Sequence, residues 1–458
     1  MFSARAAEWR TRPSRRPDGW AAPSATRRSS SSSAPCCVGS TVTRITRARC
    51  RRGTARARRA RARSSGDPRR GEAAGARGAG GAPDAEPEKD PGMKPGNGNG
   101  TPKNFDELIE RATPWLSGEG PQAGMVLSTR MRLARNLQSV PFTHRARDEQ
   151  LQGVLMSVVA AAERAPGFQN GLLLKMNDIG TLERQILVER HLVSHELGDG
   201  TRPRGLLAGA DERLSLMINE EDHLRLQAMA PGFQLAESWA VADAADDELD
   251  EALDFAFSDE TGYLTSCPTN AGTGLRASVL VHLPALVLMD EIPKVLKGIS
   301  QVGLNVRGLY GEHSEVMGNL FQISNQTTLG VSERDSIESL ERVVRQILEH
   351  EERARERMMR DARVQIEDKV WRAYGTLRYC RSIQAREVIN LCSAVRLGVA
   401  LGMSGLCPLP VMSGLLVLTQ PAHLQRYAGR ELTPAERNVY RAQRVREQLA
   451  AAGRDADS

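Results

Sequence analysis

The chain changes character at residue 93, and that break decides where a fold can form. Residues 1–92 hold 21 Lys+Arg against 8 Asp+Glu and are otherwise rich in Ala, Ser, Gly and Pro, with a serine run at 29–33 and an arginine-rich stretch at 51–63. So few apolar side chains cannot offset the entropy of ordering the backbone, and this tail is expected to stay disordered. Its Arg- and Ser-rich, acid-poor make-up also fits a targeting or nucleic-acid-binding arm. Met93 opens a Gly- and Asn-rich segment that leads directly into a helical pattern. The plainer expectation is that translation starts at Met93 and that the annotated start lies too far upstream.

The remaining 366 residues hold 41 Lys+Arg against 48 Asp+Glu, so the net +6 of the whole chain belongs to the tail. A body with a net negative charge lacks the concentrated basic face that a duplex requires, and direct nucleic-acid binding is not expected of it. The longest apolar runs, 278–289 and 406–418, are broken by Pro284, Pro408 and Pro410 and fall short of the roughly 18 residues of a membrane span. A soluble, cytoplasmic protein is expected. Cys267, Cys380, Cys392 and Cys407 are scattered through the body without a C-x-x-C pair, which speaks for a reducing compartment and against a disulfide framework or a zinc site. No protein-held metal is expected.

Periodicity predicts a capped helix from Asn104 to about residue 112, a strand at 125–133, a helix at 148–164 and a half-buried strand at 213–219. A helix at 246–257, an apolar strand or buried helix at 280–289, and a strand at 303–308 follow. Helices are predicted again at 337–363, 385–403 and 434–451. The expected organisation is the tail (1–92), a short N-terminal segment (93–123), a mixed catalytic domain (124–360) and a helical C-terminal domain (361–458).

Four segments carry chemistry. In the first strand Ser128, Arg130 and Arg132 share one face, because side chains alternate along a strand. No G-x-x-x-x-G-K-[ST] loop is present, so arginines are the candidates to hold phosphates. The second segment, Asn219-Glu-Glu-Asp-His-Leu-Arg225, sets three carboxylates behind an apolar strand. A carboxylate can orient a guanidinium bidentately and accept its proton as a new bond forms. Glu221 is the choice for that base, Glu220 for a supporting or metal-linked carboxylate, and Arg225 for a phosphate contact. The third, 266–276, contains Cys267, then Gly272 and Gly274, which permit close approach of a ligand to the backbone, and ends in Arg276. The fourth, 307–315, begins at Arg307 and ends in acids. So many arginines and carboxylates together imply a polyanionic ligand.

In this order the four segments resemble the phosphagen kinases, the ATP:guanidino phosphotransferases that include creatine and arginine kinases. The resemblance spans about residues 124–330 and, taken to the chain's end, points to the bacterial protein arginine kinases. It implies an α+β fold, an antiparallel sheet flanked by helices, with a helical C-terminal domain. It implies ATP and Mg²⁺, with nucleotide contacts at Ser128, Thr129, Arg130, Met131, Arg132, His191 and Arg225. Further contacts are implied at Arg276, Ala277, Ser278, Val279, Leu280, Arg307, Gly308, Leu309, Tyr310, Gly311 and Glu312. Glu221 would be the base, Cys267 a substrate-side thiol and Glu312 a second guanidinium contact. Small-substrate members carry a helical domain ahead of the first nucleotide strand that closes over the substrate. Here only the short segment from Met93 stands there, so the implied substrate is an arginine side chain of another protein.

Near the C-terminus Arg437-Asn438-Val-Tyr-Arg441-Ala442 resembles the family's phosphoarginine-binding motif, in which Asp stands where Asn438 is here. Arg437 and Arg441 are one helical turn apart and could hold one phosphate. Asn438 keeps hydrogen bonding but loses the charge that would hold a neighbouring guanidinium. The resemblance also implies a homodimer, a zinc-binding activator protein, and targets delivered to a Clp protease or belonging to a heat-shock repressor, in allosteric and stress-response roles. A kinase of free arginine or another small guanidino compound, and an inactive phosphoarginine-binding adaptor, remain the alternatives.

Overall fold

The computed structural model describes residues 103–199, 202–308 and 317–456. All of these belong to one compact unit, Gly39–Ser458; the second unit, Met1–Val38, lies outside them. The tail, the expected start at Met93, and Leu309, Tyr310, Gly311 and Glu312 also lie outside the described residues.

Helix α1 (Lys103–Glu110) precedes strand β1 (Val126–Arg135). Then come α2 (Asp148–Ala162), β2 (Leu172–Lys175) and two short helices, α3 (Thr181–Glu189) and α4 (His195–Asp199). Strands β3 (Gly205–Ala208), β4 (Leu214–Ile218) and β5 (Leu224–Pro231) lead to α5 (Leu235–Ala252). The small pair β6 (Phe257–Ser258) and β7 (Gly262–Tyr263) precedes β8 (Leu275–His282). Next are α6 (Pro284–Leu288), α7 (Ile292–Gln301), β9 (Leu304–Arg307) and β10 (Leu320–Asn325). The chain then becomes helical: α8 (Glu333–Asp361), α9 (Arg363–Tyr379), α10 (Ala385–Ala400), α11 (Leu409–Leu418), α12 (Pro421–Ala428) and α13 (Pro434–Ala456).

Among the described residues eight strands form one sheet in the order β2-β3-β4-β5-β1-β8-β10-β9, every neighbouring pair antiparallel. The fold is therefore an antiparallel sheet flanked by helices and followed by a helical C-terminal region. β1 sits at the centre, where its neighbours satisfy the backbone on both sides, and its alternation divides polar from apolar side chains. Met131 and Leu133 point to one face with Ala277, Val279 and Val281 of β8 and Leu226 and Ala228 of β5. That face forms the main core under α2, α5 and α8.

Three expectations shift. The apolar run at 280–289 is neither one strand nor one helix: β8 ends at His282, and Pro284, whose missing N–H costs nothing in a first turn, starts α6. The helix expected at 246–257 spans Leu235–Ala252 instead: its alanine-rich first half leaves little apolar periodicity to read, and Phe257 stands in β6. β4 is buried along its whole length rather than on one face, since it lies inside the sheet with both faces covered.

Candidate active site

The turn between β4 and β5 carries the acidic run, and its neighbours decide which acids are free for chemistry. Asn219 adopts a left-handed φ of 58°, and its N–H donates to the His223 carbonyl at 2.9 Å. Its side-chain amide donates to the carbonyls of Leu151 and Pro203. Asp222 is fully buried and accepts from Asn136 Nδ2 and from the Ser266 N–H, each at 2.6 Å. His223 Nδ1 accepts the Leu137 N–H at 3.1 Å while Nε2 lies 3.0 Å from the Pro141 carbonyl; burial holds this ring neutral by lowering its pKa. Asp222 thus anchors the turn to the Cys267 loop and His223 anchors it to the segment after β1, and Glu220 and Glu221 are left to face the cleft.

Arg225, at the start of β5, bridges the two. Its Nη1 donates to Glu220 Oε1 at 2.6 Å and its Nη2 to Glu221 Oε2 at 2.7 Å. Glu220 is only 3 % exposed and also accepts from the Ser194 hydroxyl. Glu221 is more open. Burial raises its pKa, Arg225 opposes that, and the neighbouring acids Asp222, Glu220 and Glu196 reinforce it. A carboxylate in this state is a better proton acceptor than one in water, while remaining able to pair with a cation.

Opposite these acids the sheet presents its other face. Arg132 of β1 stands directly across from Arg276 of β8, and Arg130 across from Ser278. Like charges placed so close repel. Arg130 is pushed down to about 10 by burial and by Arg225; Arg132 is pushed well down by burial and by Arg130, Arg225 and Arg276. The Nε atoms of both Arg130 and Arg132 are buried without a hydrogen-bond partner. Buried unpaired donors are costly, and a polyphosphate laid along this face would supply both acceptors and countercharge. The donor set therefore fits a nucleoside triphosphate.

A cleft of about 650 Å³ joins these groups: Arg130, Arg132, Arg225, Arg276 and Arg307 line it together with Glu220, Glu221, Cys267 and His191. A small adjoining space of about 20 Å³ is bounded by Ser128, Arg130, His191, Ser278 and Leu280. His191 sits at a turn with φ 61°, its ring edge-on to Trp115 at 5.1 Å between centroids. Burial and nearby Arg130 lower its pKa to about 3, so the imidazole is neutral. Cys267 Sγ lies 3.0 Å from Thr269 Oγ1, and Asn270 Nδ2 reaches Glu221 Oε2 at 3.4 Å.

Alternation also decides which of the residues implied as nucleotide contacts turn their side chains to the cleft. Met131, Ala277 and Val279 lie in the core on the opposite face, and Thr129 spends its hydroxyl on the Gly232 carbonyl at 2.7 Å and the Gln234 N–H at 3.0 Å. Their side chains do not reach the cleft. Gly308 is buried at the end of β9. Gly274 lines the cleft, and both Gly272 and Gly274 have a further reason to be glycine. Their φ values are +106° and +66°, and a Cβ would meet Thr328 O at 2.3 Å and Ala134 O at 2.6 Å. The chain's own backbone demands glycine at both positions.

In the C-terminal motif, Arg441 is 3 % exposed and Ala442 fully buried. Arg441 Nε donates to the Thr419 carbonyl at 2.8 Å, and Nη1 to the Ile383 carbonyl at 3.1 Å and to Asn438 Oδ1 at 2.7 Å. Asn438 thus keeps the hydrogen bond to the neighbouring guanidinium that its amide allows, without the charge an Asp would add. Arg437 donates to the Leu432 carbonyl at 3.1 Å; after burial, its charge is the next cause of the lowered pKa of Arg441.

Sequence reasoning missed Ser194, His195, Glu196, Asn270, Asn305, Gln322 and Gln326, all of which line the cleft. Only Ser194 left a signal. It precedes a helix and accepts the Leu197 N–H at 3.1 Å, as a capping serine does.

Comparison with known proteins follows the same division. Residues 154–354 match the family described as ATP:guanido phosphotransferase, C-terminal catalytic domain, and residues 363–458 match the protein-arginine kinase McsB C-terminal domain. The chain is 47% identical over 338 residues to a protein-arginine kinase of Brevibacillus brevis, covering 73% of this chain and 94% of that one. It is 47% identical over 351 residues to one of Symbiobacterium thermophilum, covering 76% and 99%. With one of Bacillus subtilis it shares 45% over 344 residues, covering 75% and 94%.

Proposed function

The chain belongs to the protein-arginine kinases, and from that premise we propose that its cleft moves the γ-phosphoryl of ATP onto the guanidinium of arginine side chains in other proteins. The observation that carries this reading is the pairing of two surfaces. Glu220 and Glu221 stand on one side with Arg225 between them, and Arg130 and Arg132 stand on the other with unpartnered buried Nε atoms. The first surface suits a guanidinium and the second suits phosphate oxygens.

The chemistry needs a nucleophilic nitrogen, and a protonated guanidinium is not one. Glu221 orients the target group and takes one N–H proton as the N–P bond forms and the bond to the ADP oxygen breaks. Arg130, Arg132, Arg276 and Arg307 hold the phosphates, so most of the rate enhancement is positioning and charge neutralisation. Mg²⁺, when bound, neutralises charge on the phosphates. Among the described residues no group of three His, Cys, Asp or Glu is placed to hold a metal ion. Cys267 and Asn270 shape the guanidinium side of the cleft, and Glu312 belongs to the same reading as a second contact.

Arg437 and Arg441 form the phosphoarginine-binding pair of the same reading. Homodimerisation, a zinc-binding activator, Clp protease and heat-shock repressor targets, and a cytoplasmic setting follow from the family resemblance. Among the described residues no helix is long and apolar enough to cross a membrane.

The test is incubation of the full chain with Mg-ATP and the expected activator, offering an arginine-rich protein and free arginine side by side. Analysis by mass spectrometry under non-acidic conditions preserves the acid-labile N–P bond. Phosphoarginine on the protein supports the reading. Phosphorylation of free arginine alone transfers it to a small-substrate kinase, and an absence of any phosphoramidate overturns it.

A further inference from the structure

One acidic side chain outside the cleft ties the C-terminal helices to the cleft wall, and the catalytic reading does not use it. Glu189 is the last residue of α3, two residues before His191. Its Oε1 accepts the Ala422 N–H at 2.8 Å and its Oε2 the His423 N–H at 3.0 Å, the first turn of α12. Oε2 also lies 2.6 Å from His423 Nδ1. A carboxylate can only accept, so Nδ1 carries the proton. His423 is fully buried, and its Nε2 has no hydrogen-bond partner. Three charge-assisted bonds thus converge on a carboxylate only 14 % exposed, where each is worth more than in water.

What this carboxylate fixes is the turn after α3. Arg190 follows, fully buried and joined to Glu212 by three hydrogen bonds, and then His191 in its left-handed conformation. The His191 carbonyl accepts Gln227 Nε2 at 2.9 Å, and its ring lines the cleft beside Arg130. Arg190 pins the turn from the sheet side; Glu189 pins it from the C-terminal helices.

Resting on the proposed kinase reading, we propose that Glu189 is a positioning residue for the nucleotide subsite: its grip on α12 and His423 holds the His191 turn in the place where the imidazole meets the phosphate-binding arginines. Glu189 touches no reacting group. Its effect passes through His191, and that route makes it testable.

The experiment is a double-mutant cycle on the full chain, with KM for ATP and kcat measured for wild type, Glu189→Gln, His191→Ala and the pair. Melting temperature is followed in parallel. Glu189→Gln is expected to raise KM for ATP by about fivefold to tenfold with a smaller change in kcat. In the His191→Ala background it is expected to change KM by less than about twofold. The same rise in both backgrounds, or a fall in melting temperature with KM unchanged, overturns the proposal. If Glu189→Gln does not fold, His423→Leu, which deletes the side-chain donor among the three bonds, is measured in the same two backgrounds. A smaller rise that again depends on His191 supports the tether, and an independent one overturns it. Wild-type phosphoarginine formation is the control that separates failure of this tether from failure of the kinase reading itself.

Discussion

At the scale of single residues, the site depends on unequal treatment of neighbours. Glu220, Glu221 and Asp222 are consecutive, yet Glu220 is buried against Arg225 and Ser194, Asp222 is spent on Asn136 and Ser266, and Glu221 alone keeps an open side. Glu221→Gln is expected to lower kcat by on the order of 10²–10⁴, the usual range for a lost general base, with little change in KM for ATP. Because burial raises the pKa of Glu221 and only the deprotonated form accepts a proton, activity should fall as pH drops through a value above the ordinary 4.5. A pH profile of kcat/KM checks this; the acid limb should vanish in the Gln variant, and its persistence there assigns the limb to another group. Cys267→Ser should lose less than Glu221→Gln. The thiol is 3.0 Å from Thr269 Oγ1, beside the guanidinium side of the cleft, and in the proposed reaction it carries no transferred proton.

At the scale of elements, the arginine pair on α13 divides its labour. Arg441 is buried and satisfies the carbonyls that end α11 and precede α10, those of Thr419 and Ile383. Removing it leaves both unsatisfied beside a cavity. Arg441→Ala should cost about 2–4 kcal/mol and lower the melting temperature. Arg437→Ala, which loses one bond to Leu432, should cost less than about 1 kcal/mol while weakening phosphoarginine binding if the pair holds that ligand. Titration with phosphoarginine, alongside thermal melts, separates the two roles. Equal destabilisation by both substitutions contradicts the division. Helix periodicity predicted the one-turn spacing of this pair, but not that one guanidinium is already committed to backbone, because its acceptors lie 22 and 58 residues away.

At the scale of the whole molecule, the C-terminal helices are part of the catalytic half. Leu127, Met229, Leu280 and Leu320 belong to the same apolar cluster as α9, α10, α11 and α13, so one end of the sheet is covered by helix while the other stays open as the cleft. A buried polar knot reinforces that join. Arg355 pairs with Glu351 and reaches the Gly124 carbonyl; Arg396 donates to the Ala123 carbonyl; and His282 Nε2 meets Ser393 Oγ at 2.8 Å. Burial and these two arginines hold His282 well below its ordinary 6.5, and His191 falls to about 3. Both imidazoles stay neutral in the folded chain but protonate in the unfolded chain below 6.5. Their contribution is therefore complete above that value and lost as pH falls toward the folded pKa. Melting temperature should drop as pH goes from 7.5 to 5.5, and His282→Gln should flatten part of that slope; an unchanged slope would remove His282 from the account.

The amino-acid sequence by itself determined the chemistry available. It placed Arg130 and Arg132 on one strand face, gathered the acids before Arg225, and spaced Arg437 one helical turn from Arg441. Each of these is a local relation, set by the two-residue period of a strand or the 3.6-residue period of a helix. Tertiary structure alone decided which of those groups are free to act. Asn136 takes Asp222 out of the site across 86 residues of chain, and the main chain at Thr328 and Ala134 imposes Gly272 and Gly274. The C-terminal helices decide how much of the polar face remains a cleft. These outcomes depend on which distant backbone supplies a hydrogen-bond partner or fills a volume, and no local pattern encodes that.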